Sequence, residues 1–224
     1  MTIWEGVAVV VASYLFGSIP TGYIMGRALR GVDIRDHGSH MIGATNVLRT
    51  LGTVPFVAVL ILDALKGYIP TMVAWFIFHE HDPQVAAGIA VVLGHDFPIF
   101  IGFRGGRGVA TSFGVYAALA LPLAVGMVAV GIFIVLALRY MSVMSMVTVP
   151  SGAVVLLLLA VFHVDDDFTY TKTIFGAFAT FFVLLTHVPN IKRLIRGTEP
   201  KIGRRADDPD PSHTTSVTPR SGTT

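Results

Sequence analysis

Cysteine is absent from the 224 residues, which excludes a disulfide framework, thiolate catalysis and any cysteine metal site. Charge is scarce as well. Asp, Glu, Lys and Arg together make up 13%, about half of what a soluble domain carries. The formal net charge is only +2, so bulk charge suggests no nucleic-acid partner. No basic region precedes the first apolar run, which carries Glu5 instead, and no small-residue cleavage site closes it. That run reads as a retained span rather than a cleaved signal. There is no internal repeat. What is present is apolar: 53% of residues are hydrophobic and the mean hydropathy is +0.70. These residues come in long runs, so the chain reads as an all-α integral membrane protein. In lipid each segment must satisfy its own backbone polar groups, and a helix does so.

Seven transmembrane helices are predicted. The first covers residues 3–25, loosened near its end by Gly17-Ser18-Ile19-Pro20. The second covers 54–78 and the third 85–103. Residues 109–138 hold no charge over 30 positions. One helix of that length would run ~45 Å, beyond a ~30 Å hydrocarbon core. Pro122 divides the stretch, giving spans at 108–120 and 122–138, the former short. The last two cover 145–161 and 171–188. The Asp165-Asp166-Asp167 loop between them reads as a solvated turn. Residues 1–197 form the membrane domain. Residues 198–224, rich in Ser, Thr, Pro, Asp and Arg, are expected to be a disordered cytoplasmic tail with no packed role.

Lys and Arg fall almost entirely on one side of this arrangement. Fourteen of the 16 lie in the loops after spans one, three and five or in the tail. The other side has only Lys172, and Lys66 is inside a span. The bias puts the N-terminus outside and the C-terminus in the cytoplasm.

Two glycine-basic stretches then share the cytoplasmic face. Residues 38–49 supply two glycines, Ser39, Thr45, Asn46 and Arg49. Gly102 to Thr111 holds four glycines, Arg104, Arg107 and a threonine within ten residues, opening into a helix. Backbone N–H groups in such turns, with arginines beside them, make anion sites. Two such sites on one small bundle suggest a phosphorylated cytosolic substrate. Asp63 and Lys66, three apart, share a helix face inside the second span. They read either as functional groups or as a pair that closes on itself. His95 reads as a ligand contact or as a satisfied membrane histidine. Ser142 and Ser145 read as pocket residues or as ordinary interface caps.

The residues resemble a known family. Gly17-Ser18-Ile19-Pro20, the 38–49 segment, Asp63-x-x-Lys66-Gly67 and Gly94-His95-x-Phe97-Pro98 match it in order. So do Gly105-Gly106-Arg107-Gly108-Val109-Ala110-Thr111 and His187-x-x-Asn190-Ile191-x-Arg193-Leu194. The chain resembles the bacterial acyl-phosphate:glycerol-3-phosphate acyltransferases over roughly residues 3–201. The resemblance implies a multi-pass plasma-membrane enzyme of phospholipid synthesis with its active site facing the cytoplasm. It implies transfer of a fatty acyl group from acyl phosphate to the sn-1 hydroxyl of glycerol 3-phosphate. The products are lysophosphatidic acid and phosphate, and no metal or cofactor is needed.

By matching position, Ser39, Gly43, Ala44, Thr45 and Asn46 resemble the loop that holds the donor phosphate. Arg49 and Arg107, with Ser142 or Ser145, His187 and Asn190, resemble the glycerol 3-phosphate site. Lys66, His95, Arg104, Gly105 and Gly106 are further candidate contacts. The family usually reads Gly-Ser-Gly-Asn where this chain has Gly38-Ser39-His40-Met41, and lysine where it has Arg107. The absence of cysteine and of a serine elbow points to direct transfer without an acyl-enzyme. The substrate's own phosphate is then the first choice of proton acceptor and His187 the second. The alternative class is a transporter of a phosphorylated solute, which broken helices with anion sites also serve. It predicts pseudo-symmetric halves, which the sequence does not show. A retinal protein would need a lysine in the last span, and residues 173–188 have none.

Overall fold

The structure is a computed structural model, and it describes residues 2–203. Among the described residues there are ten α-helices, two short 3-10 turns and no strand. The helices are α1 (Ile3–Gly17), α2 (Thr21–Arg30), α3 (Ala44–Leu51), α4 (Thr53–Phe78) and α5 (His81–Asp96). They continue with α6 (Val109–Leu119), α7 (Leu121–Leu138), α8 (Met141–Val161), α9 (Tyr170–Thr186) and α10 (Val188–Ile195).

Local chemistry sets the ends. Thr2 and Glu5 cap the start of α1 reciprocally, side chain to backbone in both directions. The break at 18–20 falls where Pro20 removes a donor, and Ser18 Oγ donates back to the Tyr14 carbonyl at 2.9 Å. The expected division of the long apolar stretch also stands: α6 stops at Leu119 and α7 begins at Leu121, with Pro122 in its first turn.

Small residues bring the helices together. A Cβ at Gly17 would collide with the Val91 carbonyl, and one at Gly94 with the Tyr14 carbonyl, so α1 and α5 cross backbone to backbone. The core beneath is apolar. Tyr116 and Phe175 are fully buried, edge to face at 5.2 Å, with the Tyr116 hydroxyl donating to the Val149 carbonyl at 3.1 Å.

Among the described residues five helical segments are long and apolar enough to cross a membrane: Ile3–Arg30, Thr53–Phe78, His81–Ile101, Leu121–Leu138 and Met141–Val161. The pair α9 and α10, bent by 55°, makes a sixth. The 11 residues of α6 rise only ~16 Å, about half a hydrocarbon core. Its last carbonyls therefore end inside the bundle, where two side chains meet them. Gln84 Nε2 donates to the Ala118 carbonyl at 3.2 Å and Lys172 Nζ to the Leu119 carbonyl at 3.1 Å. Lys172 also pairs with Asp167 at 2.5 Å, and His81 Nε2 lies 3.5 Å from the same carboxylate. The acidic loop read as a solvated turn thus supplies one structural partner.

Part of the stretch 198–224, expected to have no packed role, falls within the described residues. Residues 198–203 pack on the bundle: Glu199 is buried and Ile202 exchanges hydrogen bonds with Arg139. Residues 204–224 lie outside the described residues.

Candidate active site

The site gathers four elements at the end of the bundle where α6 begins. The first is the 38–49 segment, whose second half is the helix α3. Asn46 on α3 folds the preceding loop around itself. Its Nδ2 donates to the carbonyls of Ile34, His37 and Met41 at 2.7, 3.1 and 2.8 Å, and its Oδ1 accepts from the Ser39 amide at 2.9 Å. The side chain is therefore spent on the turn, although it borders the cavity. Arg49, in the last turn of α3, faces inward and is half-buried.

The second element is the stretch between α5 and α6. Gly102 and Phe103 turn the chain with φ of 72° and 60°, and Gly108 caps α6 with φ of 66°. The Gly106 amide donates to the His95 carbonyl at 3.1 Å, and the His95 ring packs directly on Gly106. The Ile42 amide reaches the Gly105 carbonyl at 3.4 Å and so joins the two glycine-basic stretches. Arg107 enters the cavity with a buried Nε that has no partner among the described residues. Burial, then the nearby Arg193 and Arg49 cations, push its pKa down to about 10, so it stays charged at neutral pH. Burial lowers Arg49 in the same direction.

The third and fourth elements are the α7–α8 corner and the α9–α10 bend. His187 Nδ1 pairs with the Val183 carbonyl at 2.8 Å, so in the neutral ring Nδ1 carries the proton and Nε2 is left as an acceptor. Ser145 Oγ donates to the Met141 carbonyl at 2.9 Å, an ordinary helix bond. Glu199 ties the remainder together. It accepts from Ser142 Oγ and Asn190 Nδ2 on one oxygen and from Arg193 Nε on the other, each at 2.7 Å. Burial acts to raise its pKa, but these three donors outweigh it and hold the carboxylate below its ordinary range. Asn190 Oδ1 is left buried without a partner among the described residues.

These groups face one cavity of about 560 Å³. Ser39, Gly43, Ala44, Thr45, Asn46, Arg49, His95, Arg107, Ser142, Ser145, His187 and Asn190 all border it. So does Glu199, which the composition of its surroundings concealed. The available signal was an acid in Gly197-Thr198-Glu199-Pro200 immediately after a basic amphipathic helix. Four expected contacts lie elsewhere. Arg104 is exposed, while Gly105 and Gly106 are buried behind Arg107.

Lys66, the fourth, closes on Asp63 at 2.9 Å and donates to the Ile19 carbonyl at 2.9 Å, a group freed by the α1–α2 break. Thr21 Oγ1 donates to the same carboxylate at 2.5 Å, and His95 Nδ1 lies 3.6 Å from it. Of the two readings of Asp63 and Lys66, the paired one describes this geometry. Among the described residues no group of three His, Asp or Glu could hold a metal ion.

Beyond its polar end the cavity is an apolar trough. Phe56, Leu60 and Ile61 of α4 form one wall, Val128, Ile132 and Leu136 of α7 the other, and Phe113 of α6 the floor. Helices α4 and α7 both pack on α6 and hardly on each other, so the trough is open to the side. Its wall residues Ile61, Ile132 and Leu136 are exposed.

A cationic polar pocket continuous with a hydrocarbon trough, inside a multi-pass helical bundle, is the architecture of an integral membrane protein that handles anionic, lipid-like molecules. A family model described as glycerol-3-phosphate acyltransferase matches residues 7–197. The chain belongs to the glycerol-3-phosphate acyltransferase family. It is 41% identical to a glycerol-3-phosphate acyltransferase of Nostoc sp., over 88% of this chain and 92% of that one. It is also 41% identical to one of Halalkalibacterium halodurans, over 90% and 98%. The crystal structure of PlsY, an integral membrane glycerol 3-phosphate acyltransferase, in its glycerol 3-phosphate form is similar with a TM-score of 0.82. That comparison has 35% identity and covers 89% of this chain and 96% of PlsY. The lysophosphatidic acid form of PlsY gives a TM-score of 0.80.

Proposed function

We propose that this protein moves a fatty acyl group from acyl phosphate to the sn-1 hydroxyl of glycerol 3-phosphate in the bacterial plasma membrane. The observation that carries the reading is that Arg49 and Arg107 border one cavity whose other end is apolar. Two phosphate-bearing reactants repel each other, and two cations in a low-dielectric pocket offset that repulsion. The trough fits the hydrocarbon of the donor and the product. We assign seven crossings, with the short α6 as the fourth, the N-terminus outside and the site facing the cytoplasm. The one-sided distribution of Lys and Arg supports that orientation.

The reaction needs little chemistry from the chain, because phosphate is a good leaving group. The glycerol hydroxyl oxygen attacks the acyl carbonyl carbon, the bond from that carbon to the phosphate oxygen breaks, and the hydroxyl proton leaves with the phosphate. Arg107, with its unpartnered Nε, stabilises charge on phosphate oxygens. Asn190, fixed by Glu199, presents its free Oδ1 to a hydroxyl. Thr45 and the Ser39 loop fit the donor phosphate. The substrate's phosphate takes the proton directly; His187, with Nε2 as an acceptor, is the second candidate.

The test is to incubate purified protein with acyl phosphate and glycerol 3-phosphate. Lysophosphatidate and released phosphate in equal amounts are expected. Uptake of glycerol 3-phosphate into proteoliposomes with no ester formed would overturn the reading in favour of a transporter. Labelled donor alone should leave no stable acylated protein.

A further inference from the structure

A second cavity, of about 210 Å³, lies against the first. It is walled by Leu48 of α3, Thr53 at the start of α4 and residues 200–203. Thr45, Arg49 and Met141 line both cavities, so these three residues form the partition between them. The two differ in chemistry. The larger one runs out between apolar helix walls, whereas the smaller has the Thr45 and Thr53 hydroxyls, Arg49 and Lys201 around it. Thr53 and Lys201 are exposed, and a lysine ammonium at the rim is suited to water and headgroups rather than to hydrocarbon.

The outer rim is held rather than loose. The Ile202 amide donates to the Arg139 carbonyl at 2.8 Å, and Arg139 Nη2 donates to the Ile202 carbonyl at 3.0 Å. Lys201 Nζ sits 5.4 Å from the centre of the Tyr140 ring.

We propose that the smaller cavity is the doorway by which glycerol 3-phosphate reaches Arg49, separate from the lipid-side trough used by the acyl donor. This rests on the substrate assignment made above. A small dianion and a long hydrocarbon have opposite solvation requirements, and no single opening suits both. Here the wet opening carries cations and hydroxyls, and the dry one carries neither. Lys201 draws the dianion in, and Arg49 takes it from the rim to the reaction cavity. Long-range attraction of this kind raises association rates and weakens with salt.

The absence of cysteine from the full chain makes the test clean. Thr53→Cys, in lipid nanodiscs, carries the only thiol, and its rate of reaction with an anionic methanethiosulfonate is measured. Saturating glycerol 3-phosphate should slow labelling about tenfold, and hexadecylphosphonate should not. Equal rates with and without glycerol 3-phosphate, or protection by the alkyl phosphonate instead, overturn the doorway. A kinetic arm reads the same question in otherwise intact protein. Lys201→Glu, an exposed change that spares the core, should raise KM for glycerol 3-phosphate about tenfold and leave KM for acyl phosphate unchanged. Ile132→Trp on the trough wall should do the reverse. Both KM values shifting together in either variant also overturns it. Protection at Thr53→Cys without ester formation by the native protein would leave the doorway standing and remove the acyltransferase reading.

Discussion

Arg107 and Lys172 are cations withdrawn from water at the two ends of α6, and they are treated in opposite ways. Lys172 is closed: it has the Asp167 carboxylate, the Leu119 carbonyl and the Phe168 ring face. Arg107 is open: the Arg193 and Arg49 cations nearby oppose its charge more than the Glu199 carboxylate supports it, and among the described residues its Nε has no partner. A buried charge without a partner is expensive in a folded chain. It persists where a ligand supplies the missing charge, whereas a satisfied one stabilises the chain itself. The two ends of one short helix thus separate binding from architecture.

The largest effect that can break this contrast is at Arg107. Arg107→Ala should lower kcat/KM for glycerol 3-phosphate by about 10²- to 10³-fold without lowering the melting temperature. A fall in melting temperature with kinetics intact would place Arg107 with the architecture.

Lys172→Met should do the converse. It leaves the Leu119 carbonyl and Asp167 without their donor and should cost about 3 kcal/mol of stability. The folded fraction should keep its turnover, measured by denaturation in detergent alongside activity.

Glu199 sharpens the comparison because it belongs to both classes. It holds Ser142, Asn190 and Arg193 in place and also borders the cavity. Glu199→Gln should raise KM for glycerol 3-phosphate by about tenfold, since a charge-assisted contact becomes a neutral one. Its pKa in the fold is depressed, so its contribution is complete above the ordinary value of 4.5 and fades as pH falls through the lowered value. Hydrogen exchange at residues 198–203 should accelerate over that acidic range in the native protein and much less in the Gln variant.

The smallest effect is at His40, which sits at φ 59° where the family pattern usually has glycine. A side chain in the left-handed region is strained. His40→Gly should stabilise by about 1 kcal/mol or less, because the bond between His40 Nδ1 and the Arg35 carbonyl is also lost. Activity should not change.

Much of this was legible in the residues. The loosened end of the first span, the division before Pro122 and the convergence of the glycine-basic stretches follow from proline, glycine and apolar runs. These signals act over one or two turns, where sequence and geometry are tightly linked. What was hidden depends on contacts between distant segments. Arg104 and Arg107 read alike as neighbours of glycine, but the turn at Gly102 and Phe103 leaves one in solvent and the next in the cavity. Lys66 looked available until the carbonyl of Ile19, 47 positions earlier, came within reach. Glu199 stood in a polar stretch that composition alone marks as unpacked, and its three donors come from α8 and α10.

The sideways gap between α4 and α7 has a kinetic consequence. A ligand entering there is dissolved in a two-dimensional solvent, so its effective concentration is a mole fraction of the bilayer. Diluting vesicles with buffer then leaves turnover of a membrane-dissolved donor unchanged, whereas diluting the donor with inert phospholipid slows it. In the proposed reaction the glycerol substrate enters from bulk water and follows ordinary molarity, so the two reactants of one collision would be counted in different units.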